Sequence, residues 1–68
     1  MHPQFTFHAL NDQGKDRAGK VAEAFDGLLS QLELLCPEGR ELALVRTNLE
    51  IASFFAKKAV ANAAENQA

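Results

Sequence analysis

The amino-acid sequence predicts an all-α fold: an antiparallel two-helix hairpin with an extended N-terminal arm, assembled as a homo-oligomer. Three observations predict it. Two long segments carry apolar residues at alternating steps of three and four. A short turn, Cys36-Pro37-Glu38-Gly39-Arg40-Glu41, separates them. The second segment also carries a further apolar set that one partner helix cannot cover.

At 68 residues the chain is a single domain. It lies below the size at which one core gives a comfortable margin of stability. Domains this small add disulfides, a metal or further chains. Cys36 is the single cysteine, so no intrachain disulfide can form, and His2 and His8 lie too far from it for a zinc-type spacing. Association with other copies is what remains. Apolar residues make up 47% of the chain, too many for a disordered tail. A net charge of −2 argues against DNA or RNA polymers as partners, although a local group of cations can still hold a small anion. No apolar run approaches the roughly 20 residues that span a bilayer, so no membrane association is expected. The N-terminus has no basic region followed by an apolar stretch, and so does not read as a signal peptide. With a free cysteine, this points to the cytoplasm.

Residues 1–12 read as the arm. Phe5 and Phe7 alternate with Gln4, Thr6 and His8, Pro3 disfavours a helix start before them, and the two rings need burial against something. Asn11-Asp12-Gln13-Gly14 is a turn signal in which Asn11 or Asp12 can cap a helix. The first helix occupies 13–35. Its seam is Val21, Phe25, Leu28, Leu32 and Leu35, supplemented by Ala24 and Leu29. Gly19 and Gly27 each weaken it by about 1 kcal/mol relative to Ala. They are either tolerated surface glycines or points of close approach by a neighbouring chain or ligand.

The second helix occupies 38–64. Pro37 suits its opening turn, and Glu38 and Glu41 complement the positive end of its dipole. Its seam is Leu42, Val45, Leu49, Ala52, Ala56, Ala59 and Ala63, matched to the first for antiparallel pairing. Leu44, Ile51, Phe54, Phe55 and Val60 form the second apolar set, which another subunit would cover most economically. The tail from Asn62 is expected to fray.

The pattern Pro37-x-Gly39-Arg40-Glu41, followed by Leu44, Thr47, Leu49-Glu50, Ala52, Phe55-Ala56 and Ala59, resembles the helical hairpin shared by anti-CBASS protein two and the first anti-Thoeris protein. These are small phage proteins that defeat bacterial nucleotide-signalling immunity, and the resemblance covers the chain from about Phe5 to Ala61. It implies a sponge that binds cyclic di- and trinucleotides without cleaving them, built as a homohexamer in the host bacterial cytoplasm with ligand sites between subunits. An aromatic residue of the arm and a lysine of the first helix hold base and phosphate in that family. Here the roles fall to Phe5 or Phe7 and to Lys20; the family aromatic is commonly tyrosine, which this chain lacks. Arg40 is the candidate for a separate trinucleotide site near a three-fold axis.

The residues themselves offer matching chemistry. A cyclic dinucleotide needs cations near its two phosphates, flat faces for its bases and a few polar anchors. Stacking on an aromatic ring contributes about 1–3 kcal/mol per base, which Phe5 and Phe7 can supply. Arg17 and Lys20 are three residues apart and can share a helix face; they are a phosphate-binding pair or a solvated charged face. Arg40 can grip a phosphate bidentately or bridge to Glu38, Glu41 or a neighbouring chain. Thr47 lies two turns on from Arg40 and can join its groove or bond its own backbone. His8 can touch a base or stand exposed, and Asn11 can touch a ribose or cap the helix. Cys36 reads as a small residue packed at the bend, with no base or orienting group to make it a catalytic thiol.

No catalytic constellation and no cofactor site is visible, so the expected activity is binding rather than catalysis. Two alternatives stand beside the cyclic-oligonucleotide sponge. One is a helical oligomerisation or partner-binding protein without a nucleotide ligand. The other is a sponge for cyclic ADP-ribose-type signals.

Overall fold

A computed structural model describes residues 8–68 as two antiparallel helices and a short closing turn. Helix α1 spans Asp12–Leu35, helix α2 spans Arg40–Asn62, and a 3-10 turn spans Ala64–Asn66. No helix among the described residues is long and apolar enough to cross a membrane. The Cα extents are 42 × 25 × 11 Å. The hairpin is therefore one helix thick, and each helix has a face that the described residues leave open.

Asn11 sets the start of α1. Its backbone is extended and its side-chain oxygen accepts the Gly14 N–H at 2.8 Å. Of the two caps the sequence allows, Asn11 is the one used, and Asp12 becomes the acid of the first turn. The helix stops at Leu35 because Pro37 follows: the residue before a proline is driven out of the helical region, and Cys36 is extended, with φ −103 and ψ 133.

Helix α2 starts at Arg40, two residues later than the sequence suggests, with Gly39 at its cap. Pro37 and Glu38 therefore belong to the connection, not to the opening turn. Packed helix axes lie roughly 8–10 Å apart, and a helix begun at residue 38 would leave too little chain to cross that gap. Only Glu41 remains as an acid in the first turn of α2; the Glu38 carboxylate is turned to Arg46.

The helices pair along a seam whose register differs from the expected heptad. On the α1 side the partly buried positions are Ala18, Val21, Phe25, Leu29, Leu32 and Cys36. On α2 the matching row is Leu42, Val45, Leu49, Ser53, Ala56 and Val60. Both rows step 3, 4, 4, 3, 4, which is 18 residues in five steps or 3.6 per step. That is the period of a straight helix, whereas a heptad seam needs supercoiling to hold 3.5. The heptad reading therefore slips after Phe25 and after Leu49. Leu28 and Leu35 are left 44% and 79% exposed, while Leu29, Ser53 and Val60 turn inward in place of Leu28, Ala52 and Ala59. Leu42, 2% exposed, is the one apolar side chain among the described residues that is fully buried.

The tail does not fray. Beyond Asn62 it turns back across the start of α1, where Asn66 is buried to 2% exposure. The Asn11 N–H donates to the Asn66 carbonyl at 2.9 Å, and the Ala68 N–H donates to the Ala9 carbonyl at 2.9 Å. An isolated antiparallel bridge joins Leu10 and Gln67. Asn66 resists fraying because its side chain is spent at both ends: the oxygen accepts from Arg17 at 2.8 Å and the nitrogen donates to the Val60 carbonyl at 2.9 Å.

Arg46 closes the other end. Its Nη2 lies 2.8 Å from Glu33 Oε2 on α1 and 2.7 Å from Glu38 Oε1 in the connection, and Nη1 donates to Glu38 Oε2 at 3.2 Å. The guanidinium lowers the Glu38 pKa, first through these hydrogen bonds and then through charge, and the two carboxylates raise that of Arg46 in return. A depressed carboxylate contributes stability above its unfolded pKa and loses it as pH falls through the folded one. The clamp is therefore intact at neutral pH and released below the ordinary carboxylate range. Arg46→Met should lower Tm slightly at pH 7, with a difference that shrinks in high salt and vanishes in acid; thermal melts at three pH values check this.

Candidate functional site

The candidate ligand-binding residues fall into three groups. Phe5 and Phe7 lie outside the described residues. His8, Asn11 and Arg17 lie where α1 begins and the tail returns, with Lys20 further along α1. Arg40 and Thr47 lie on α2, toward the connection.

In the first described group the side chains have different degrees of freedom. Asn11 is committed twice over: besides capping α1, its Nδ2 donates to the Glu65 carbonyl at 2.8 Å and the Gln67 carbonyl at 3.2 Å. It is a structural residue. Arg17 is also engaged, donating to the Asn66 side chain at 2.8 Å and pairing with Glu65 at 3.5 Å. A phosphate reaching Arg17 would compete with both. Lys20 pairs only one turn back, with Asp16 at 3.0 Å, and the two side chains are 73% and 62% exposed. Such a pair is weak and easily exchanged for another anion. His8 is half-buried beside the bridge.

Arg40 and Thr47 are exposed, and helical spacing puts them with Leu44, Ile51 and Phe54 in one row on α2, steps of 4, 3, 4 and 3. That row faces away from α1. Its apolar members are strongly exposed, Leu44 45%, Ile51 51% and Phe54 62%, with Phe55 beside them at 58%. The Phe54 and Phe55 rings meet edge to face, centroids 5.4 Å apart at 82°, and form one aromatic block. A second exposed row, Ala24, Leu28, Gln31 and Leu35, flanks the seam on α1. Gly19 and Gly27 have open space where a Cβ would stand, so nothing among the described residues requires glycine there.

The groove between the helices holds none of the candidate residues. Phe25, Leu29 and Leu49 line it, together with Asp26, Arg46, Glu50 and Lys57. Arg46 is already paired with Glu33 and Glu38, which leaves Lys57 against two carboxylates, a poor setting for a phosphate. Among the described residues no three metal-ligating side chains cluster. Sequence reasoning missed Arg46 and Asn66. Arg46 had a signal: it sits one residue from the seam, where a long cation can reach an acid on the facing helix. Asn66 had none, since its burial follows from where the tail lands.

A family model described as Acb2/Tad1, hairpin domain, matches residues 1–61. The chain belongs to this family. It is the anti-CBASS and anti-Thoeris hairpin that the turn and second-helix motif resembles. The match runs from residue 1 through both helices up to Ala61, with the connection, and so covers all the candidate residues. The Acb2/Tad1 match ends just before the tail that pins Asn11. No curated protein and no solved structure matches the chain.

The engagement of Arg17 yields a test. Arg17→Met should cost about 1 kcal/mol of stability, the ordinary contribution of a side-chain hydrogen bond. Amide exchange should accelerate at residues 64–68 and remain unchanged at the connection; equal exchange at both ends would show that Arg17 does not hold the tail.

Proposed function

We propose that this protein binds cyclic oligonucleotide second messengers, di- and trinucleotides, and sequesters them without cleavage, so that the CBASS effectors they activate in a bacterial host stay silent. The observation that carries this reading is membership of the Acb2/Tad1 hairpin family over residues 1–61. Lys20 supports it as an exposed cation whose weak local pair a phosphate can displace. Phe5 and Phe7 supply faces for the bases, and Arg40 with Thr47 a second polar patch. Arg17 and Asn11 keep structural roles, with His8 at the margin.

The same reading makes the working unit a homo-oligomer, a hexamer by family analogy. The outward rows of α1 and α2 favour this: exposed Leu44, Ile51, Phe54 and Phe55 amount to an apolar face that water does not favour. Copies of the chain would cover that face and bring Arg40 of one copy toward neighbouring chains. A partner-binding protein without a nucleotide ligand would use the same face, and the family's anti-Thoeris branch keeps cyclic ADP-ribose-type signals within reach.

Calorimetric titration with cyclic di-AMP, cyclic di-GMP, cyclic GMP-AMP, cyclic tri-AMP and cyclic ADP-ribose decides between these. Submicromolar binding of a cyclic oligonucleotide is expected, with ligand recovered unaltered after heat denaturation. Lys20→Ala should weaken a dinucleotide about tenfold, as the loss of one charge-assisted bond to phosphate requires, and leave Tm unchanged. Heat only from cyclic ADP-ribose would move the reading to that signal. Silence from the whole panel would leave the partner-binding oligomer.

A further inference from the structure

We propose that the tail, residues 63–68, is an internal competitor for a ligand phosphate, through Glu65 and Asn66, which occupy the Arg17 guanidinium. The inference rests on the function proposed above and adds a regulator to it. Arg17 and Lys20 stand three residues apart on one flank of α1, near enough to share a phosphate. Lys20 pairs only one turn back, with Asp16, and both side chains are well exposed. Arg17 lacks that freedom: its Nη1 donates to Asn66 Oδ1 at 2.8 Å and lies 3.5 Å from Glu65 Oε1. The Gln13 amide, with its oxygen turned to the guanidinium, accepts from Nη2. The guanidinium therefore meets one carboxylate and two amide oxygens, an acceptor set of the kind a phosphate would offer.

The tail has a seat that does not depend on Arg17. The Asn11 N–H donates to the Asn66 carbonyl, the Asn11 side chain donates to the carbonyls of Glu65 and Gln67, and the Asn66 amide nitrogen donates to the Val60 carbonyl. Gly14 makes room for it, since a Cβ there would run into the Asn66 carbonyl oxygen and lie 3.0 Å from the Asn66 Cβ. This seat delivers the two side-chain oxygens to Arg17. The ion pair itself is open to exchange, because the Arg17 and Glu65 side chains are 43% and 64% exposed. The family match stops at residue 61, so the competitor lies beyond the matched hairpin while Arg17 and Lys20 lie within it. Coupling of this kind is reciprocal: what the tail takes from ligand affinity, a bound ligand takes from the hold on the tail.

Calorimetric titration with cyclic di-AMP, cyclic di-GMP and cyclic GMP-AMP compares the unaltered chain with a chain ending at Ala63 and with Glu65→Gln. Both changes are also made in an Arg17→Met background. The shortened chain should bind its best dinucleotide about fivefold more tightly, as expected when one competing hydrogen bond is removed. Glu65→Gln, a change at an exposed side chain, should strengthen binding about twofold. Arg17→Met should abolish both gains, because tail and ligand then have no shared partner. A purely structural tail gives equal or weaker binding when it is removed; that result overturns the inference, as does a gain that survives Arg17→Met. Amide exchange of the unaltered chain needs no variant: saturation with the dinucleotide should accelerate exchange at residues 64–68, and exchange that is unchanged or slower there overturns the inference. Absence of binding by both the unaltered and the shortened chain overturns the proposed function and this inference with it. Equal binding by the two overturns this inference alone.

Discussion

A pair of helices has one shared seam, and everything else in this chain follows from that limit. Each helix can bury one face against the other, so a single apolar side chain among the described residues, Leu42, is fully enclosed. A seam this thin leaves both ends of the hairpin open to solvent. Polar groups close them. At the connection, the Arg46 guanidinium spans Glu33 and Glu38; at the other end, the Asn11 N–H donates to the Asn66 carbonyl, and the Asn66 side chain accepts from Arg17 and donates to the Val60 carbonyl. The two closures differ in kind. The first is an exposed ion-pair cluster, sensitive to salt and acid. The second is a buried amide with its side chain satisfied at both ends, whose loss would leave unpaired groups out of water.

The sequence displays the hairpin because helix period and turn chemistry are local properties. Apolar spacing marks both helices, and Cys36-Pro37 with Gly39 marks the break between them. It does not display the register equally well. Steps of three and four are compatible with a period of 3.5 or 3.6, and Leu28 and Leu29 both offer a leucine at the point where the two diverge. Only the absence of supercoiling decides in favour of Leu29. The tail was illegible for another reason. Ala-Asn-Ala-Ala-Glu-Asn-Gln-Ala is polar and aperiodic, and what holds it is the landing of Asn66 against Gly14, a contact between positions 52 residues apart.

The candidate site was legible only in part, since residue type announces capability but not occupancy. Arg17 and Lys20 look equivalent along the chain. In the fold Arg17 is bound to the tail while Lys20 holds only Asp16, one turn away. Asn11 similarly has the chemistry of a ribose anchor and spends all of it on Gly14, Glu65 and Gln67. Phe54 was visible as an apolar residue, but the same row also holds Arg40 and Thr47, so that outward face carries polar groups as well.

That mixture bears on where a ligand would sit. A cyclic dinucleotide carries two negative charges and two bases, and enclosing it takes walls on more than one side. A hairpin 11 Å thick offers one wall. Two of its candidate cations are also divided, Lys20 on the first half of α1 and Arg40 at the connection, so antiparallel pairing keeps them apart within one chain. Apolar cover for Leu44, Ile51, Phe54 and Phe55 and a second wall for the ligand are therefore the same requirement. On the proposed reading a neighbouring copy meets both, and binding and assembly become one problem in surface chemistry.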